Sequence, residues 1–598
     1  MKNITLPVLA GLLTAGALTN ADASSLPEGY WSLEQASEIL EKTREVRLAP
    51  DLSALSEAER SAAMKLIEAG KILDGLYRDS MHAESLDALR ALKQQSDVDD
   101  HTEALMSLYY LFKGPIASTL ENERVAFLPV SPEEPGKNVY PLGITREPLD
   151  TMLQARPELE SEILGVRTVV RESSTTNLQR DLGMLDRFPV LDSLHPGLRA
   201  RLEAIRSGDD ESSFYALPYS VRWAPEIMQA FSLIDAAGQD VKAEDPDLAA
   251  YLALRARDLL SDDYEGGDAA WVRGRFKNLN AQIGSYEPYG DSLYGVKSFF
   301  SLSLLVRDIE RSRELSAALT SLQSFQDSLP FGAGRKVQQD IPVGVYNVVA
   351  DFGQSRGANT ATILPNEADH ARKYGRTILL RYNIMTHPGL FEDRHQVFAA
   401  AVDPEQAGDL TIDGPFNRTL WHEVGHYLGV DQTADGRELN EALSPWGSHF
   451  EEMKADLVSL FTVAQLNNTG EMSDELFRSV QAAGVYRTLQ RNQPRREQPY
   501  QTMQLMQMNY FLEHGLLSFD EANGWLHINY DQYDEVAENM LEEVLAIQSG
   551  GDSDIAEAFI DRYTTWTPQI HERIATRIRE STRYQYRMVR YSALVDKG

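Results

Sequence analysis

The sequence predicts a mostly α protein with a smaller β component (α+β), folded as two or more packed lobes. Apolar residues recur at helical spacing from Trp31 to about Leu120, and again almost without interruption from Arg394 to Arg590. Strand-like runs are few and central: Val343 to Ala350 and Thr377 to Tyr382 are rich in β-branched and aromatic residues. A chain of 598 residues also exceeds what a single hydrophobic core holds together.

Taken in order, residues 1–23 resemble a signal peptide. Lys2 supplies a thin positive start, Ile4 to Leu18 is apolar and small, and Ala21-Asp22-Ala23 has the small-x-small form of a cleavage site. The apolar run is short for a bilayer span, and no cysteine follows to carry a lipid, so an exported, periplasmic or secreted chain starting at Ser24 is expected. From Trp31 to about Leu120 the pattern is amphipathic helix, followed by a proline-rich break from Pro129 to Pro141. Residues 147–275 look mixed, with short β-like runs such as Val166 to Val170, and a loop-rich region spans Pro330 to Gly357. This divides the chain into a mixed α/β lobe, 24–393, and a helical lobe, 394–598.

Two helices of the second lobe matter most. One is expected from about Pro415 to Leu428, stopped by Gly429. The other is expected to start at Ser444-Pro445, a capping residue followed by a first-turn proline, and to run to Leu466. Phe450, Met453, Leu457, Leu460 and Phe461 form its apolar stripe.

Composition narrows the chemistry. The net charge of −33 disfavours nucleic acid and anionic lipid as partners. The basic residues Arg573, Arg577, Arg579, Arg583, Arg587 and Arg590 stand among acidic neighbours at helical spacing and read as a solvated helix face. No later stretch approaches a membrane span, so no stable membrane anchor is expected. The absence of cysteine excludes disulfides, thiolate zinc sites, iron–sulfur clusters and cysteine nucleophiles, leaving His, Asp and Glu as metal ligands.

Such ligands occur at the right spacing. His422-Glu423-Val424-Gly425-His426 is an H-E-x-x-H pattern inside an apolar helical frame of Leu420, Trp421, Val424, Tyr427 and Leu428. Residues four apart share a helix face, so both imidazoles can reach one Zn²⁺, with Glu423 beside its open position as the base. A catalytic zinc needs a third protein ligand. Glu451-Glu452-Met453-Lys454-Ala455-Asp456 on the next helix supplies Glu452, one zinc per chain being expected. Asp456, on the same face, can accept the free ring N–H of one zinc histidine, and Glu451 that of the other.

These motifs resemble the dipeptidyl peptidase III family of zinc peptidases, in which an H-E-x-x-(G)-H helix precedes an E-E-x-x-A-D/E helix. The five-residue form here is similar to a bacterial branch of that family. Tyr286 to Gly295 resembles its E-x-Y segment, implying that Glu287 holds the substrate amino group and Tyr289 stabilises the tetrahedral intermediate. Leu364-Pro365-Asn366-Glu367 resembles a substrate-binding P-N segment, implying a contact from Asn366. The stretch from Asn509 through Ile547 to Asp552 is also similar. Two positions depart from the pattern: Ile363 replaces an asparagine, and Tyr500 stands where the family has a substrate-touching histidine. The resemblance implies two lobes separated by a cleft, with zinc on the helical lobe and short peptides as substrates.

Three functions follow as expectations: a zinc exopeptidase releasing N-terminal dipeptides, a zinc hydrolase of other specificity such as an endopeptidase or amidase, or a zinc-binding protein without turnover. Intact Glu423 argues against the last.

Overall fold

The computed structural model describes residues 26–593 apart from 96–98, 121–122, 289, 333–334, 338–342, 358–359, 365–369, 371–372, 376 and 497–498. The signal-peptide reading of residues 1–23, Tyr289 and Asn366 therefore lie outside the described residues.

The fold is mostly α with a smaller β component, as the sequence predicts. Its centre is a five-stranded sheet. Besides Thr43–Leu48 (β1), which lies elsewhere, the strands are Leu279–Ser285 (β2), Phe300–Arg307 (β3), Val343–Gly353 (β4), Ala361–Leu364 (β5) and Thr377–Arg381 (β6). Their spatial order is β2-β3-β4-β6-β5, antiparallel except for the parallel pair β4–β6. Side chains alternate across a strand, and β6 shows the consequence. Leu379 enters one hydrophobic core while Ile378 and Leu380 enter a second.

The first core packs the helices Glu57–Met81 (α1) and Ala224–Val241 (α2) with β3 and β4. Gly70 on α1 makes room for the Phe352 ring, since a Cβ there would fall 2.3 Å from it. The second core gathers Pro388–Ala401 (α3), Asp413–Gly425 (α4), Gly447–Asn468 (α5), Asp474–Thr488 (α6) and Pro499–Glu513 (α7). Among the described residues no helix is long and apolar enough to cross a membrane.

Several local expectations shift. The helix expected from Ser444 begins at Gly447 instead, with Trp446 at its N-cap position, so Pro445 precedes the first turn. Strands β2 and β3 emerge where no strand was expected. Strand β1 interrupts the N-terminal helical region, and Tyr586–Tyr591 (β7) pairs with it in parallel, bringing the end of the chain to its beginning. The arginine series is thus not one helix face. Arg573, Arg577 and Arg579 lie on the helix Arg573–Ser581, while Arg587 and Arg590 lie on β7. Nor are they simply solvated: Arg573 donates to the Glu521 carbonyl, and Arg577 to those of Asn523 and Gly524.

Candidate metal centre

Helix α4 carries both histidines of the H-E-x-x-H pattern near its C-terminal end. His426 is its C-cap but keeps helical angles (φ −63°, ψ −22°), so the four-residue spacing still sets the two imidazoles side by side on one face, edge to face. Gly429, at φ +88°, then turns the chain away.

What brings α5 within reach is a close approach of backbones. A Cβ on Gly425 would stand 2.7 Å from the Ala455 carbonyl oxygen and 3.0 Å from its Cα, so only glycine fits at this crossing. The contact lies between the two histidines on α4 and between Glu451, Glu452 and Asp456 on α5. Their side chains therefore meet.

His422 Nδ1 lies 2.5 Å from Asp456 Oδ1, and His426 Nδ1 lies 2.9 Å from Glu451 Oε1. With each Nδ1 facing a carboxylate, the Nε2 atoms turn inward. They stand 3.3 Å (His422) and 3.9 Å (His426) from Glu452 Oε2, a buried oxygen without a hydrogen-bond partner. One ligand atom from each of His422, His426 and Glu452 falls within 4.8 Å of the others. Two inward imidazole nitrogens and one orphaned carboxylate oxygen form the donor set of a three-ligand zinc site, so the residues present fit the ion.

The supporting charges are strong. Burial alone would raise the Asp456 carboxyl, but Arg418 and Arg487 beside it hold it well below the usual carboxylate range. Arg418 Nη2 is 2.6 Å and Arg487 Nε 3.0 Å from this carboxylate, which is fully buried. Burial likewise opposes ionisation of Glu451, yet Lys454 and His426 bring it down to about 2. Lys454 Nζ sits 2.9 Å from Glu451 and donates to the Leu428 carbonyl at 3.0 Å, tying α5 to the end of α4. Both carboxylates are thus anionic acceptors for the histidine N–H groups.

Compared with solved structures, the chain resembles dipeptidyl-peptidase III from Caldithrix abyssi with a TM-score of 0.77 and 23% identity, over 94% of this chain and 98% of that one. The enzyme of the same name from Corallococcus sp. strain EGB gives a TM-score of 0.71, again at 23% identity over 94% and 98%. The chain has the dipeptidyl-peptidase III fold. Among curated proteins it is similar to Nudix hydrolase 3 of Arabidopsis thaliana, 25% identical over 570 residues that make up 88% of this chain and 70% of that protein. No family profile matches.

Within this dipeptidyl-peptidase III fold, the structure gathers His422, His426, Glu452, Glu451 and Asp456 in one place. Glu423 is half-buried on the same helix, and its charge acts on the phenol of Tyr500. Tyr500 is nearly half exposed, but its hydroxyl is hydrogen-bonded to Glu452. Burial and that carboxylate push the phenol above its ordinary value, keeping it a donor. Glu287 sits elsewhere, half-buried in the loop after β2 and next to Tyr286 of the first core. No hydrogen bond or ion pair joins it to the metal helices among the described residues. Sequence reasoning missed Arg418, Arg487 and Lys454. Arg418 was legible, since it precedes His422 by four residues on one helix face; Arg487, from a separate helix, was not.

Proposed function

We propose that this protein is a zinc metallopeptidase that releases dipeptides from the N-terminus of short peptides. The observation that carries this reading is the inward-facing set His422, His426 and Glu452, with Glu423 beside it, on the fold described above. A bound zinc would supply Lewis acidity, lowering the pKa of an attacking water and polarising the scissile carbonyl. Glu423 takes the proton of that water and passes it to the leaving amine. Asp456 and Glu451 hold the two imidazoles in the Nδ1–H tautomer, and Tyr500 steadies Glu452 through its hydroxyl. Glu287 is assigned to the substrate ammonium, Tyr289 to the developing oxyanion and Asn366 to the substrate backbone, on the family resemblance. Because Glu287 stands with the first core and the histidines with the second, the peptide would span a cleft between the two.

A second reading, a zinc hydrolase of different specificity such as an endopeptidase or amidase, is favoured by one feature. Tyr500 places a phenol against Glu452 where the resemblance expects a histidine against substrate. A panel of N-terminally free and blocked peptides, run with the zinc-loaded and the chelated protein, tests both readings. Chelator-insensitive cleavage, or none at all, would remove the first.

A further inference from the structure

The loop between β2 and β3 carries Glu287, and a single buried carboxylate, that of Asp291, organises it. Asp291 Oδ1 accepts the backbone N–H groups of Leu293 at 2.9 Å and Tyr294 at 3.0 Å. Its Oδ2 accepts those of Val296 and Lys297, each at 3.0 Å. A further donor comes from outside the loop, the hydroxyl of the buried Tyr140, 3.0 Å from Oδ2. The N–H of Asp291 in turn donates to the Pro288 carbonyl at 2.9 Å, so the turn that begins directly after Glu287 closes on Asp291.

This position calls for a carboxylate. Every group that converges on its two oxygens is a donor, and an asparagine would turn an NH₂ group toward some of them. Burial opposes ionisation of Asp291, yet the amides of Lys297, Tyr294 and Val296 and the Tyr140 hydroxyl hold its carboxyl below the usual range. Its charge also acts on the Lys297 ammonium, which is fully buried. That ammonium donates to neutral oxygens, the Ile163 and Gly165 carbonyls at 2.6 and 2.8 Å and the Thr168 hydroxyl at 2.7 Å. Lys297 thereby clamps the far end of the loop to the turn before Thr168, and Asp291 supplies its counter-charge.

The near end of the loop is fixed separately. The Tyr286 hydroxyl donates to Asp268 Oδ1 at 2.7 Å, and Asp268 is paired with the buried Arg255. Glu287 therefore stands between two anchors, Tyr286 on one side and the turn closed by Asp291 on the other. Glu287 is itself half-buried and has no hydrogen-bond or ion-pair partner among the described residues. Its carboxylate takes its place from the backbone of the loop. We propose that Asp291 is a positioning residue, which holds this loop so that Glu287 is set to receive the ammonium of a peptide substrate. The proposal rests on the peptidase reading and on its assignment of Glu287.

Calorimetric titration of the zinc-loaded Glu423→Gln protein, which keeps the site but lacks the base, tests it without turnover. The probes are a short peptide with a free N-terminus and its N-acetylated form. The free peptide is expected to bind at least about tenfold more tightly, the worth of one charge-assisted hydrogen bond. Adding Glu287→Ala should remove that preference. Adding Asp291→Asn should remove most of it, and adding Tyr140→Phe, which deletes a single donor, should lower it in the same direction. A general loosening of the fold would weaken both peptides alike and leave their ratio unchanged, so the ratio separates positioning from stability. The wild-type ratio in Asp291→Asn, or in Tyr140→Phe where the former does not fold, would overturn the proposal. Failure of the underlying reading is a separate result: equal affinities for the two peptides before any change in the loop, or a Glu287→Ala protein that keeps the preference.

Discussion

Asp456 Oδ1 sits 2.5 Å from His422 Nδ1 and 2.6 Å from Arg418 Nη2, and its Oδ2 lies 3.0 Å from Arg487 Nε, so a single buried carboxylate joins three helices at one candidate metal ligand. Replacing Asp456 with asparagine keeps its shape but leaves Arg418 buried without its counter-charge, and the His422 N–H without an anionic acceptor. Zinc affinity should fall by roughly 10–100-fold, the usual effect of losing such a partner. Competition with a chelator of known affinity measures this; wild-type zinc retention in the variant would show that Asp456 does not set the His422 tautomer.

Glu452 and Glu423 should separate metal binding from chemistry. Glu452→Ala leaves two histidines, which hold zinc weakly, so elemental analysis should find most of the metal gone. Full occupancy there would transfer the third-ligand role to Glu451. Glu423→Gln should keep its zinc while turnover drops by about 10²–10⁴-fold, the span of a general base.

The Gly425–Ala455 crossing gives a mutation with two readouts. In Gly425→Ala the new methyl meets the Ala455 carbonyl at 2.7 Å, so the helices must part. Overpacking of this kind costs about 1–3 kcal/mol. Denaturant unfolding should show that loss, and the chelator competition should show weaker zinc binding, since parting α4 from α5 moves the histidines from Glu452. A variant with lowered stability and unaltered zinc affinity would mean that the crossing does not set the ligand geometry.

Exopeptidase specificity requires a carboxylate for the substrate ammonium. A short peptide with a free N-terminus should be cleaved far faster than its N-acetylated form, and Glu287→Ala should narrow that difference. Equal rates for both peptides with the wild-type protein would end the dipeptidyl reading and leave the metal centre untouched.

Asp262 offers a pH dependence away from the metal. It occupies a left-handed position at the end of the helix Pro246–Ser261, φ +56°, and its carboxylate accepts from the Ser220 N–H at 3.0 Å. Burial pushes its pKa up to about 7 from 3.8. Between these values the folded chain holds a proton that the unfolded chain has lost, so stability falls as pH rises through this window, by at most about 1.4 kcal/mol per unit. Asparagine tolerates the left-handed backbone and stays neutral. Urea midpoints should therefore show Asp262→Asn gaining on the wild type between pH 5 and pH 8; a constant difference across that range would count against the shift.

The sequence by itself determined what depends on local repeats. His422 and His426 had to share a face because a helix turns every 3.6 residues, and the same arithmetic joined Glu452 to Asp456. The predominance of helix followed from the same kind of periodicity, and the strands expected at Val343 to Ala350 and Thr377 to Tyr382 followed from their β-branched and aromatic residues; the structure forms them at Val343–Gly353 and Thr377–Arg381. Where chain ends or turns compete, the pattern misled: Pro445 lies outside its helix, and the C-terminal arginines divide between a helix and a strand. Only the tertiary structure decided which carboxylate faces which imidazole, that Tyr500 turns its hydroxyl to Glu452, and that Arg487 from a separate helix meets Asp456. It alone paired Thr43–Leu48 with Tyr586–Tyr591. The physical reason is common to all of these. They rest on register and close approach between segments far apart in the chain, such as the glycine–alanine contact at 425 and 455. Packing of the whole selects such contacts, and no local spacing records them.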